Sequence, residues 1–200
     1  MASNLLLRVF TADDLRNEEE LLVALLDMVN KTYRSHHEEG IISRFATSDE
    51  IWRELGEDGQ CAVIQIPERG GLPVAMACAK RWKSHAEEEH PVGETNDWEI
   101  GPVASRNDSQ YRKKGLADRC LIALYDAARS RSGEKKFVRF WVRLIENRVA
   151  DYWRKKGFVQ VGPRWLIPKG EWHKEKEFVM IHMCKEILRV ADDEASANWH

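Results

Sequence analysis

One junction constrains this chain more than any other. From Trp98 to Ala104 an apolar, extended run leads through Ser105-Arg106-Asn107-Asp108-Ser109 into Gln110-Tyr111-Arg112-Lys113-Lys114-Gly115. A helix follows whose Leu116, Cys120, Leu121, Leu124 and Ala128 share one face. Strand, basic glycine loop and helix in that order aim unpaired backbone N–H groups and the positive helix end at one point, as a phosphate or pyrophosphate requires. Gly115 lets the backbone approach such a group closely, while Arg112, Lys113 and Lys114 add full charges. Neither G-x-x-x-x-G-K-[ST] nor the three spaced glycines of a dinucleotide fingerprint occurs, which argues against a nucleoside triphosphate or NAD.

The remaining elements are read from periodicity and caps. Asn4–Phe10 predicts a strand, and Thr11 with Asp14 a capped helix start. Leu21, Leu22, Leu25, Leu26, Met28 and Val29 form the apolar stripe of a helix ending near Ser35–Gly40, and Thr47 with Glu50 predicts another capped helix carrying Ile51, Trp52 and Leu55. Cys61–Ile66 and Val74–Lys80 flank the turn-rich Pro67-Glu68-Arg69-Gly70-Gly71 and predict a hairpin, and Ser84–Asn96 reads as an exposed loop. Phe137–Leu144 alternates strictly and predicts a strand. Asn147 is placed to cap a helix running to Lys156, with Gly157 at its left-handed end. Phe158–Val161 and Phe178–Cys184 predict the last strands, and Trp165 and Trp172 fall in the long connection between them.

The chain's 200 residues suit one domain, here 1–188, with 189–200 a small, acidic tail. Lys plus Arg total 31 against 33 Asp plus Glu, so whole-protein attraction to nucleic acid or anionic membranes is not expected. The start lacks a basic signal-peptide region and no long uncharged apolar run occurs, which predicts a cytoplasmic protein. Cys61, Cys78, Cys120 and Cys184 form no CxxC pair and predict free thiols in a reducing compartment, with Cys120 a small buried hydrophobe. His85 with His90, and His36 with His37, do not share a helix face, so no metal is expected.

Two motifs in order carry a resemblance. Arg112-x-x-Gly115-x-Ala117 resembles the acetyl-CoA loop of the GNAT-type N-acetyltransferase superfamily. Asn147-x-x-Ala150 followed by Tyr152-Trp153-x-Lys155-x-Gly157-Phe158 resembles that superfamily's second motif. Together with the strands the likeness covers about residues 4 to 186, with a loop after Val103 somewhat longer than usual and a second-motif helix one residue shorter. It implies an α/β fold with a mixed central sheet of about six or seven strands flanked by helices.

What the resemblance implies about function is specific. Acetyl-CoA would be the acetyl donor, with no metal. The backbone around Val103 and Ala104 would hold the thioester and pantetheine, the loop Arg112, Lys113, Lys114, Gly115, Leu116 and Ala117 the pyrophosphate, and Asn147 would contact the CoA arm. Glu99 would take the proton of an attacking primary amine, directly or through water. Trp153 falls where members often carry the tyrosine that protonates departing thiolate, and Tyr152 is the adjacent phenol. The acceptor would be a small-molecule or peptide amine. Neither nucleic acid nor membrane is an expected partner, and a homodimer is compatible with the reading. Two alternatives remain: a non-catalytic acyl-CoA-binding protein, and a nucleic-acid module using Arg112–Lys114 and Arg154–Lys156 with Tyr111 and Trp153 as stacking partners.

Overall fold

Short-range chemistry sets the first elements. Strand β1 (Leu6–Thr11) passes into helix α1 (Ala12–Arg16) through a complete capping box: the Asp14 N–H donates to Thr11 Oγ1 at 3.1 Å, and the Thr11 N–H donates to the Asp14 carboxylate at 2.8 Å. Hydrogen bonds from the Thr11 backbone and side chain hold the Asp14 carboxyl below its ordinary pKa. The structure is a computed structural model that describes residues 4–36, 43–82, 97–131, 137–169 and 177–188. The expected loop 84–96, the tail 189–200, His37, His85, His90 and Trp172 lie outside them.

Helices α2 (Glu19–His36) and α3 (Asp49–Leu55) follow, then β2 (Gln60–Ile66) and β3 (Leu72–Arg81) as the expected hairpin. The cap of α3 differs from expectation: Ser48 occupies the N-cap position, and Glu50 instead accepts a hydrogen bond from the Ala46 N–H at 2.8 Å. Strand β4 (Trp98–Ser105), helix α4 (Leu116–Arg131), strand β5 (Phe137–Ile145), helix α5 (Glu146–Lys155), and strands β6 (Val159–Ile167) and β7 (Phe178–Leu188) complete the order.

The seven strands form one mixed sheet in the order β1-β2-β3-β4-β5-β7-β6, flanked by helices on both faces. All neighbours are antiparallel except β4 and β5. Alternation along the strands divides the core. Val138, Phe140, Val142 and Leu144 of β5 join Leu116, Cys120, Leu121 and Leu124 of α4 and Ala150 and Trp153 of α5 on one face. Phe10, Val63 and Met76 join the apolar stripe of α2 and Ile51 and Leu55 of α3 on the other. Beside that second layer Trp82 stacks on Trp141 with ring centroids 4.9 Å apart. Among the described residues no helix is long and apolar enough to cross a membrane.

Two expectations near the C-terminus need correction. Asn147 does not cap α5: the helix already starts at Glu146 with Ile145 at the N-cap, so Asn147 lies exposed in the first turn. The β5 backbone runs straight into the helix and leaves no extended residue for Asn147 to occupy. Trp165 is not in a loop. It lies in β6, which runs well past Val161, pairs with Met180 of β7 and packs on the His182 ring at 4.5 Å. Gly157 does end α5, at φ 84°, with the Phe158 N–H returning to the Trp153 carbonyl at 3.1 Å.

Candidate active site

The site is built around an opening in the sheet. β4 pairs with β5 only at Trp98↔Phe140 and Glu99↔Trp141, although β4 continues to Ser105 and β5 to Ile145. Beyond Glu99 the two strands part, and facing backbone edges are left without each other as partners. On its other side β4 stays paired with β3 as far as Ala75↔Ser105, through a bulge in which Gly101 and Pro102 together oppose Cys78.

Hydrogen-bond alternation fixes which groups face the opening. The Arg106 N–H donates to the Val74 carbonyl at 2.9 Å, so two residues back Ala104 is bonded to Met76, and the intervening pairs turn their polar groups outward. The Val103 N–H and the Ser105 carbonyl therefore point away from β3, toward the side that β5 has left. Helix α2 meets both. Thr32 Oγ1 donates to the Ser105 carbonyl at 3.0 Å, and the hydroxyl of Tyr33 accepts from the Val103 N–H.

The basic loop joins the same strand to α4. The N–H groups of Tyr111 and Arg112 both donate to the Asp108 carbonyl at 2.9 Å, and the Tyr111 ring is buried in the core, pinning the turn. Lys113 at φ 58° and Gly115 at φ 69° then reverse the backbone into Leu116. A Cβ on Gly115 would meet no atom within 4 Å, so the glycine is required for its left-handed backbone and for the open space in front of it. Arg112, Lys113 and Lys114 are exposed beside the first-turn N–H groups of Leu116, Ala117 and Asp118. That combination of donors and charge suits an anion.

Glu99 lies at the vertex of the opening, with its side chain 11% exposed. Its two oxygens accept from Arg143 Nε at 3.1 Å and Nη2 at 2.9 Å. Lys80 is 3.8 Å away and also bonds Glu54 at 3.0 Å, whose two oxygens both accept from Arg44 Nη2, at 2.7 and 2.8 Å. The carboxylate is thus the middle of a charge row running from α3 to β5. Each oxygen keeps lone-pair capacity beyond the bond to Arg143.

Tyr152 lies elsewhere. Its hydroxyl donates to Asp118 Oδ1 at 3.0 Å, in the first turn of α4, and Lys156 bonds the other oxygen of Asp118. Burial, followed by the Asp118 charge and hydrogen bond, raises the phenol's pKa. The hydroxyl's one proton is given to Asp118, so a departing thiolate has no claim on it while that bond holds. Trp153 is buried edge-on against Phe158. Cys120 is a buried thiol whose pKa burial pushes up to about 12, which keeps it out of nucleophilic chemistry near neutral pH.

The structure thus brings Glu99, Val103 and Ala104 to one strand, Arg112, Lys113, Lys114 and Gly115 to the loop that follows it, and Leu116 and Ala117 to the first turn of α4. Tyr152 and Asn147 lie on α5 instead. Sequence reasoning missed Tyr33 and the role of Arg143. Tyr33 follows Val29 by four positions and reads as more of the α2 stripe. Arg143 carried a weak signal, as a cation on the polar side of an otherwise buried strand. Among the described residues no three His, Cys, Asp or Glu side chains gather as a metal site, and all four cysteines are free.

Known structures share this architecture. An aminoglycoside 6'-N-acetyltransferase complexed with coenzyme A superposes with a TM-score of 0.59 at 15% identity, over 94% of this chain and 99% of that one. A ribosomal-protein-alanine N-acetyltransferase from Brucella melitensis gives 0.57 at 19% identity over 91% and 99%, and a GNAT-family acetyltransferase from Streptococcus pneumoniae 0.59 at 16% over 92% and 99%. No protein-family model and no curated protein sequence matches the chain. The fold is that of the GNAT acetyltransferases, with the seven-strand mixed sheet the resemblance implied.

Proposed function

We propose that the protein is an acetyl-CoA-dependent N-acetyltransferase that moves an acetyl group to a primary amine by direct attack in a ternary complex. The observation that carries this reading is the parting of β4 and β5 immediately before the strand enters the basic loop and α4. A long thin ligand with amide groups along its length and a pyrophosphate at one end matches those two features together. The loop Arg112–Ala117 takes the pyrophosphate on backbone N–H groups and charge. The open edge at Val103, with Ala104 beside it held to β3, takes the arm and the thioester, and Asn147, in the first turn of α5, takes a contact with the arm.

An alkylammonium with a pKa near about 10 must lose a proton before it attacks. In this reading the proton reaches Glu99 through water, on lone pairs that Arg143 leaves open. The acceptor is a small-molecule or peptide amine, and the chain works as a single domain in a reducing, cytoplasmic setting. The neighbours solved with coenzyme A and with acetyl-CoA support the donor.

Acetyl-CoA is therefore expected to raise the melting temperature, and a thiol-release assay across small amines, amino acids and lysine peptides should find an acceptor. Unchanged melting at millimolar acetyl-CoA, with calorimetry also silent, would remove the basis of the proposal. Binding without thiol release from any amine would favour the acyl-CoA-binding alternative.

A further inference from the structure

We infer that Arg143 is the specificity residue of the acceptor site, binding a carboxylate that the acceptor carries beside its amine, so that the substrate class is the free α-amino acids. The inference rests on the acetyl-CoA reading and deepens it, since that reading leaves the amine undefined.

Strand geometry puts Arg143 and Glu99 on one face. Arg143 follows Trp141 by two positions on β5, so both leave the sheet on the same side, while Phe140, Val142 and Leu144 turn into the layer of α4 and α5. That side is the one on which α3 packs against β3, because the charge row reaches Arg143 from Glu54 through Lys80 and Glu99. The two strands part immediately beyond Glu99, which places the pair at the mouth of the gap that the acetyl-CoA arm would fill.

Arg143 is held firmly and used only in part. Nε and Nη2 each donate one hydrogen bond to Glu99, at 3.1 and 2.9 Å, and the guanidinium carbon lies over the Trp82 ring, 5.1 Å from its centroid. Of the five N–H donors of a guanidinium, two are thus spent on Glu99. Those on Nη1 bond no described residue, and the side chain is 15% exposed. A planar cation fixed at its edge and on its face, with donors to spare, is preorganised for a carboxylate.

Charge decides between acceptors. Glu99 is flanked by two cations, Arg143 and Lys80. A plain alkylammonium drawn to Glu99 is repelled by both, in a half-buried setting that salt screens poorly. An ammonium with a carboxylate on the next carbon meets the pair differently: its N–H groups turn to the remaining lone pairs of Glu99 and its carboxylate to Nη1 of Arg143, so opposite charges face each other at both ends. Spacing selects the α position. The bonded atoms of Glu99 and Arg143 are one hydrogen-bond length apart, and an α-amino acid holds its two charged groups at a similar distance, with a single carbon between them.

In the transfer the amine gives its proton through water to Glu99, the nitrogen lone pair forms the C–N bond to the acetyl carbon, the C–S bond breaks, and the proton ends on the CoA sulfur. The product is an N-acetyl amino acid that has lost the ammonium and keeps only its carboxylate anchor on Arg143.

The wild-type enzyme tests this without any substitution. With acetyl-CoA as donor, kcat/KM for the best of the common α-amino acids should exceed that for the same molecule lacking the carboxylate, as phenylalanine against phenethylamine or alanine against ethylamine, by about 100-fold when rates are referred to the neutral amine. A γ-amino acid should keep little of that advantage. Arg143→Gln should bring the ratio within about threefold, and Arg143→Lys should restore part of it because a charge remains. The ratio is the readout, since any effect on Glu99 lowers both members of a pair alike. In the dead-end complex with CoA, where no transfer occurs, calorimetry should give the same order of binding. If Arg143→Gln folds poorly, the wild-type pairs and the γ-amino acid decide alone. Carboxylate-free amines accepted as well as their amino acids, or a ratio unchanged in Arg143→Gln, overturns the inference and leaves acetyl-CoA transfer standing. Failure of acetyl-CoA to shift wild-type melting, or to release thiol with any amine, overturns the underlying reading instead.

Discussion

The two edges of β4 have opposite fates. Toward β3 the strand is paired from Arg81↔Trp98 to Ala75↔Ser105, and the bulge at Gly101 and Pro102 is absorbed without losing the ladder. Toward β5 the pairing stops after Glu99↔Trp141, and of the groups a sheet would normally satisfy the Ser105 carbonyl is taken up by a helix side chain instead. One strand is therefore anchored on one side and available on the other. Anchoring keeps the available edge in place, which matters because a donor for a developing oxyanion must be positioned before the reaction and not by it. Substitutions toward β3 should register as stability, and substitutions at the opening or in the loop beyond it as binding and rate.

The sharpest break of that comparison is Gly115→Val. A β-branched residue disfavours φ 69° and projects into the space an anion would fill, so acetyl-CoA binding should fall below detection while far-UV spectra stay native. Wild-type affinity in calorimetry would make the loop purely structural. Next in size is Met76→Ala, on β3 and fully buried against the α2 layer. It should cost about 2–5 kcal/mol of stability in denaturant unfolding and leave KM for acetyl-CoA unchanged. A comparable rise in KM would mean that the paired edge is not independent of the open one.

Glu99→Gln sharpens the comparison at the vertex. It should lower kcat about 100-fold near neutral pH, equivalent to about 2.7 kcal/mol, with acetyl-CoA affinity nearly unchanged. The loss should shrink toward alkaline pH, where more of the amine is already neutral. A loss equal at every pH would assign Glu99 to holding Arg143 at the mouth of the opening. The smallest effect belongs to Tyr152→Phe, which removes only the bond to Asp118. Thermal unfolding should show a loss of about 1 kcal/mol or less, with kcat within about threefold. A hundredfold fall in kcat would give Tyr152 the role of acid after all.

Much of this architecture was legible because it is local. The Thr11–Asp14 cap, the β2–β3 hairpin and the α4 stripe each depend on residues a few positions apart, and Gly115 and Gly157 mark positive φ that few other residues tolerate. What was not legible depends on partners far apart in the chain. The register of β4 against β5, the reach of Arg143 to Glu99 across 44 positions and the meeting of Tyr33 with Val103 leave no periodic trace. Asn147 failed for a subtler reason. An asparagine at a strand–helix junction looks like a cap, but the boundary lies two residues earlier because Ile145 already carries the extended backbone an N-cap requires.

The parallel seam also has a consequence for how the molecule assembles. Strands β1–β4 form one antiparallel block and β5–β7 another, and the sheet ladder between them is only the short β4–β5 pairing, beside which the Glu99–Arg143 pair, the Trp141–Asp97 hydrogen bond and the Trp82–Trp141 stack bridge the two blocks. Each block can form from its own neighbouring segments, whereas the seam needs both in place and the α4 crossover folded between them. It should therefore be the last part of the sheet to close and the first to yield. Amides along it should exchange with solvent sooner than those of the β2–β3 hairpin, and acetyl-CoA, bound across both edges as proposed, should slow that exchange.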